Sequence, residues 1–168
     1  LKYKMKHNYL VFDNVFDENE LEGYQNKILN LTKNISLSWF SYYDDHEYKN
    51  FCLKLTSLAA TFFDLSDSDG YEFWTQHNSR PESKHRDKDE TLWEQTGELN
   101  YPICSIVFYL HVKKMIGGKL HFEDGSIIVP KPNRVVIFSP GIVHYVEEFE
   151  GERTSMLVNP WNSKPLGY

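Results

Sequence analysis

The sequence predicts an α+β domain: a helical first part, about residues 1–66, followed by an antiparallel jelly-roll core over about residues 71–161. Three observations carry this. Apolar residues in the first part recur at helical spacing. At Tyr71 the period switches to two. From Tyr101 onward, short stretches rich in β-branched and aromatic residues alternate with Gly/Pro turns, as in a sandwich or barrel. The full 168 residues are the size of a single domain.

Tyr9–Phe12 is a short apolar run and reads as a strand. Asp17 is placed as an N-cap with Glu20 closing a capping box, and Phe16 and Leu21 are spaced as a hydrophobic staple. Leu21, Tyr24, Ile28 and Leu31 then predict a helix from about Glu18 to Leu31. A second helix is expected from about His46 to Leu65, with Phe51, Leu55, Leu58, Phe62 and Leu65 as its core stripe. The Ser66–Gly70 cluster is a turn. Tyr71, Phe73 and Thr75 alternate with Glu72, Trp74 and Gln76, predicting a strand over Tyr71–Ser79.

Arg80 to Glu98 is crowded with charge and reads as a long surface loop with at most a short turn of helix. Strands are expected at Pro102–Val112, Lys119–Phe122, Ser126–Val129, Arg134–Phe138, Ile142–Glu147 and Arg153–Asn159. With Tyr71–Ser79 these make about seven or eight strands, enough for a double-sheet jelly roll.

Composition narrows the function classes. The net charge is −6, which argues against nucleic acid or an anionic membrane as a partner. Aromatics reach 15%, as expected of a packed core rather than a disordered chain. The longest uncharged stretch, Leu99–Val112, is too short and too polar to span a bilayer. Cys52 and Cys104 lack metal-ligand spacing and point to a reducing, cytoplasmic setting. Met5 reads as a candidate natural start, with Leu1–Lys4 upstream or foreign.

The chemistry concentrates in His85-Arg86-Asp87, with His144 and Arg153 further on. On extended chain, residues i and i+2 face one side, so His85 and Asp87 can point at one spot while Arg86 turns away. His144 follows a Ser-Pro-Gly turn near the start of a later strand. Two imidazoles and a carboxylate on one face of a metal form a facial triad, which suits Fe(II) with open positions. Arg153 and Ser155 share a face of the last strand; a guanidinium there can take a carboxylate bidentately and the hydroxyl can add a contact. The alternative for Arg153 is a surface pairing with Glu147, Glu148 or Glu152. A rival ligand pair, His121-Phe122-Glu123, also has the His-x-carboxylate form and stands only about 20 residues before His144, with Ser126–Val129 and Arg134–Phe138 as the strands between. His7, His46, His77 and His111 lack partner spacing, with His77 on the face of Phe73 and Thr75.

Together His85-Arg86-Asp87, Phe108-Tyr109-Leu110, Gly117-Gly118-Lys119-Leu120-His121-Phe122, Pro140-Gly141-Ile142-Val143-His144 and Arg153-Thr154-Ser155 form an ordered set over about Tyr71 to Trp161. In this set the chain resembles the Fe(II)/2-oxoglutarate-dependent oxygenases, most closely the short stand-alone group related to prolyl 4-hydroxylases. The resemblance implies a double-stranded β-helix barrel buttressed by N-terminal helices. It implies that His85, Asp87 and His144 hold Fe(II) and that Arg153, assisted by Ser155, binds the distal carboxylate of 2-oxoglutarate. Tyr109 matches a family tyrosine that reaches the same carboxylate; core packing is its alternative. O2 is the further co-substrate, with ascorbate as accessory reductant. The implied reaction hydroxylates an unactivated C–H bond of a peptide or small molecule, with a prolyl residue as the first substrate class, and releases succinate and CO2. Trp74, Trp93 and the Arg80–Glu98 segment are candidate substrate contacts. Two other readings stay open: a non-catalytic jelly-roll module that binds a small acid or sugar, and a nucleic-acid dealkylating oxygenase, which the acidic net charge disfavours. Oligomeric state has no signature in the sequence.

Overall fold

The computed structural model describes residues 8–77 and 81–168. The Met5 start, His7, the end of the expected strand at Ser79, and Arg80 lie outside the described residues.

The chain opens with β1 (Tyr9–Asp13) and α1 (Glu18–Ile28). Asp17 caps α1 in the expected box: its side chain accepts from the Glu20 amide at 2.9 Å, and the Glu20 carboxylate accepts from the Asp17 amide at 3.1 Å. Such caps contribute about 1 kcal/mol. β2 (Ser38–Ser41) follows, a strand for which the sequence pattern gave no position. α2 (Lys49–Ala59) is shorter than expected at both ends. At its start, His46 stacks on Phe40 with ring centroids 3.9 Å apart and bonds Tyr71 Oη at 2.9 Å, which ties it to the sheet. At its end, Thr61 and Phe62 donate back only three residues, so the helix tightens and stops. Phe62 is therefore exposed, and Phe63 packs in its place.

β3 (Gly70–His77) matches the expected alternation. The segment expected as a loop is ordered: it forms β4 (Glu82–His85) and α3 (Glu90–Thr96). Asp89 caps α3 through the Leu92 amide, and Gly97 ends it at φ 74°. Then come β5 (Ser105–Gly117), β6 (Leu120–Phe122), β7 (Ile127–Ile128), β8 (Arg134–Phe138), β9 (His144–Val146) and β10 (Phe149–Trp161). Gly117 and Gly118 turn the chain between β5 and β6 at φ 79° and 72°; a Cβ on Gly117 would collide with the Glu148 carbonyl.

The strands form two antiparallel sheets, ordered β1-β8-β5-β10-β3-β2 and β4-β9-β6-β7. One core cluster lies between the helices and the six-stranded sheet, where Phe16, Phe51 and Leu55 meet Phe73, Phe108 and Val158. A second lies between the sheets, where Tyr109, Val136 and Phe138 meet Leu120, Phe122 and Val146. Because β5 and β8 are covered on both faces, they carry continuous apolar runs, Ile106–Leu110 and Val135–Phe138.

One irregularity aims the site. In the β5–β10 ladder the register slips between Thr154 and Ser155: Thr154 faces His111, but Ser155 faces Tyr109. The extra residue, Leu110, packs on the helix side, and Gln25 of α1 donates to its carbonyl at 2.9 Å. β10 itself keeps strict alternation, so Arg153, Ser155 and Leu157 all point between the sheets.

Candidate metal centre and anion pocket

The two sheets enclose a cavity with two polar ends. At one end are His85, Asp87 and His144; at the other are Tyr109, Arg153 and Ser155; Gln76 and Glu82, bonded to each other, complete the polar lining. Val107, Leu120, Val146 and Leu157 form apolar walls between them.

The ligand-type atoms of His85, Asp87 and His144 lie within 4.8 Å of one another, the one group of three or more such residues among those described. β4 and β9 are responsible, because His85 and His144 are direct partners in their ladder. Each imidazole is oriented in the same way. His85 Nδ1 donates to Ser83 O at 2.8 Å, and His144 Nδ1 donates to Ile142 O at 3.0 Å. Both rings therefore turn Nε2, the nitrogen not bonded to backbone, toward Asp87. Those atoms lie 3.5 and 3.7 Å from Asp87 Oδ1. The other carboxylate oxygen, Oδ2, is held away from the pair: Ser105 Oγ donates to it at 2.5 Å and Asn159 Nδ2 at 3.3 Å.

Electrostatics follow this geometry. Burial alone would raise the Asp87 carboxyl, but the His85 bond, the His144 charge and the Ser105 bond outweigh it and hold it below the usual carboxylate range. The same Asp87 bond pushes His85 up to about 9, against the opposing effect of burial. One carboxylate and two imidazole nitrogens converging from one side form a donor set suited to Fe(II), a metal taking the place of the proton that His85 shares with Asp87.

At the far end, Arg153 is 1% exposed, with its guanidinium 4.9 Å from the Phe149 ring and Nη1 3.4 Å from Gly118 O. It is not the surface arginine of the alternative reading. Glu147 and Glu152 instead bind His121 and His111, at 2.7 and 3.1 Å. Burial lowers the Arg153 pKa, while Tyr109 and Glu82 act to raise it. Tyr109 is buried beside it, its phenol pushed up to about 12 chiefly by burial. Ser155 Oγ is buried and meets no hydrogen-bond partner among the described residues. A buried cation, a phenol and an orphaned hydroxyl facing one cavity suit a carboxylate guest.

The rival pair is not assembled. His121 Nε2 bonds Glu147 and its ring stacks on Tyr145, so it stays outside the triad. His77 and His46 serve structure, through Thr154 at 2.6 Å and Tyr71 at 2.9 Å. Trp74 lines the inner cavity, whereas Trp93 lies on the outer surface beyond His85. Ser105 and Asn159 were not singled out by the sequence, since neither sits in a motif and only register places them on Asp87.

No family profile and no curated protein matches the chain. Solved structures do match. Over 95% of its length the chain superposes on a Pseudomonas putida prolyl-4-hydroxylase, with a TM-score of 0.68, 14% identity and 95% of that chain covered. An oxidoreductase of the 2OG-Fe(II) oxygenase family from Burkholderia pseudomallei matches at 0.66 and 13%, over 95% of this chain and 88% of that one. A Trichoplax adhaerens prolyl hydroxylase, solved with a hypoxia inducible factor peptide fragment, matches at 0.63 and 12%, over 94% and 84%. At such identities the likeness establishes a common fold.

Proposed function

We propose that the chain is a single-domain Fe(II)- and 2-oxoglutarate-dependent oxygenase that hydroxylates an unactivated C–H bond of a peptide. The observation that carries this is the pairing of two distinct polar ends in one cavity: a His–Asp–His triad and, across apolar walls, a buried arginine with an orphaned serine hydroxyl. The two sheets correspond, in this reading, to the halves of a double-stranded β-helix.

His85 and His144 would hold the metal through Nε2 and Asp87 through Oδ1. Arg153 would take the distal carboxylate of 2-oxoglutarate, with Ser155 Oγ donating a third contact and Tyr109 bordering the same group. Iron and 2-oxoglutarate together supply the activation of O2, whose atoms end in succinate and in the hydroxylated product, with CO2 released. The chain's own part is positioning and exclusion. Asp87 offsets one positive charge of the metal, its Oδ2 fixed by Ser105 and Asn159. The apolar walls keep bulk water from the reacting centre. The peptide complex of the Trichoplax adhaerens relative makes peptides, and prolyl residues first, the substrate class to test. The buried, unbonded Cys52 and Cys104 suit a reducing, cytoplasmic setting. Among the described residues no helix is long and apolar enough to cross a membrane.

The test is succinate formation by purified protein supplied with Fe(II), ascorbate and 2-oxoglutarate, first without substrate and then with proline-containing peptides. Slow uncoupled turnover is expected, and it should vanish in His85→Ala and Asp87→Ala. Equal turnover in those variants defeats the assignment. Absence of both turnover and stoichiometric metal binding would leave a non-catalytic acid-binding module.

A further inference from the structure

Outside the inner cavity, the outer side of β4 borders a trough. Two hollows of about 290 and 250 Å³ meet along it and share Lys84 and Val143. The larger has Lys84, Arg86 and Lys88 on one side and Trp93, Leu99 and Val143 on the other. His85 lines both this hollow and the inner cavity, so the trough runs beside the triad.

The larger hollow carries a charge opposite to that of the chain. The protein carries −6 overall, yet no carboxylate lines this hollow, while Glu123 lines the smaller one. The acids next to Arg86 in sequence are engaged elsewhere. Asp87 belongs to the triad, Asp89 is buried and bonds the Leu92 and Leu166 amides, and Glu90 is taken by Lys88 at 2.7 Å. Lys88 is thereby neutralised, which leaves Lys84 and Arg86. Lys84 sits 5.6 Å over the Tyr145 ring. Arg86 is exposed, lines the larger hollow and is anchored through Nε to Gly141 O at 2.8 Å. Beside it Trp93 and Leu99 are 43% and 50% exposed.

We propose that this trough seats the stretch of a peptide substrate flanking the modified residue, and that this stretch presents a carboxylate to Arg86 and an apolar side chain to Trp93 and Leu99. The substrate class is thus an acidic peptide. A fixed guanidinium matches the two oxygens of an Asp or Glu side chain, and Lys84 adds a second cation within the span of a few extended residues. A nucleic acid strand would need a longer row of cations, and here Glu94 and Glu98 of the α3 region flank the basic stretch. The inference takes from the oxygenase reading only that the bound peptide is a substrate.

The experiment is fluorescence anisotropy on the metal-free protein in EDTA, so that it does not depend on turnover. The probes are fluorescein-labelled peptides of identical sequence around a central Leu-Pro pair, with Asp, Asn or Lys at the flanking positions. The Asp peptide should bind roughly tenfold more tightly than the Asn peptide, with the Lys peptide weakest. Arg86→Gln should erase most of that preference and Lys84→Gln part of it, while Trp93→Ala should weaken all three alike. Equal binding of the three, no binding, or displacement of the Asp peptide by a single-stranded oligonucleotide at lower concentration would overturn the proposal. Acid preference in a protein that forms no succinate would overturn the oxygenase reading alone.

Discussion

His85 and His144 stand opposite each other across the β4–β9 ladder, ring centroids 4.3 Å apart, each held by a carbonyl two residues upstream. Their surroundings differ. His85 is partly exposed, while His144 is 4% exposed and packs edge-on against Phe138 at 4.7 Å. His85→Ala should therefore lower Mn(II) affinity by more than roughly 100-fold, and its stability cost should come only from the lost Asp87 contact, fading at low pH as Asp87 is protonated. His144→Ala should lose the metal to the same degree and also cost about 2 kcal/mol, since it opens a cavity beside Phe138. Calorimetric Mn(II) titration and urea unfolding check the two halves separately. Equal stability loss in both variants would contradict the asymmetry.

Ser155 gives a prediction with opposed signs. Its hydroxyl is buried without a partner among the described residues, so Ser155→Ala should leave stability unchanged or raise it by up to about 1 kcal/mol. The same change should raise KM for 2-oxoglutarate several-fold. Arg153→Lys should raise it by roughly tenfold or more, because a point charge replaces a fork, while Mn(II) affinity stays within about threefold. A Ser155→Ala protein that is both less stable and unchanged in KM would count against an anion site there.

Asp87 turns one oxygen toward the two histidines because the other is engaged by Ser105 and Asn159. Asn159 is itself set by the Ile106 amide, 3.4 Å from its Oδ1. Ser105→Ala should lower Mn(II) affinity by roughly 10-fold, in the range of outer-shell changes at metal sites. Ser105→Thr should restore most of it. Co(II) absorption serves as the second readout: if these bonds fix how Asp87 is presented, the ligand-field bands of the loaded Ser105→Ala protein should shift. A loss of stability with unchanged bands and affinity would mean a packing role only.

Much of this was legible in the residues. The capping box of Asp17 and Glu20 is local chemistry, and so is the αL end of α3 at Gly97, which the density of charge over residues 80–98 concealed. The period-two pattern at Tyr71, Phe73 and Thr75 is equally local. What pattern could not supply was pairing. β4 is a strand because Glu82 and His85 find Val146 and His144, not because Glu-Ser-Lys-His favours extended chain. α2 starts late because His46 is drawn to Phe40 and Tyr71, and it ends early because Thr61 and Phe62 tighten to three-residue bonds that turn Phe63 onto the core. That His85, Asp87 and His144 cluster and that Arg153 lines the same cavity matches the expectation from type and spacing. Ser105, Asn159 and the Leu110 bulge could not be read that way, since each acquires its role from a strand far off in sequence.

Glu72 supplies a pH test at a group that is not itself a candidate ligand. It is 8% exposed on β3, with Oε2 accepting from Trp161 Nε1 at 2.8 Å and Oε1 from Tyr168 Oη at 3.0 Å. Burial is the largest influence on its carboxyl; with the Asp87 and Asp89 charges adding to the shift, it outweighs those two bonds and pushes the pKa up to about 7, from 4.5. A carboxyl with a raised folded pKa binds its proton more tightly folded than unfolded. Its contribution is therefore intact below the unfolded pKa and is lost as pH climbs through the folded one. Wild-type stability should accordingly fall between about pH 4.5 and 7, by up to roughly 3 kcal/mol from this group. Glu72→Gln should flatten that decline, since its amide oxygen still accepts from Trp161 and the Tyr168 hydroxyl can turn to meet the rest. Above pH 7.5 the variant should be the more stable protein. Urea unfolding of both proteins across pH 5 to 8 measures the difference, and parallel curves would show that Glu72 keeps an ordinary pKa in its pocket.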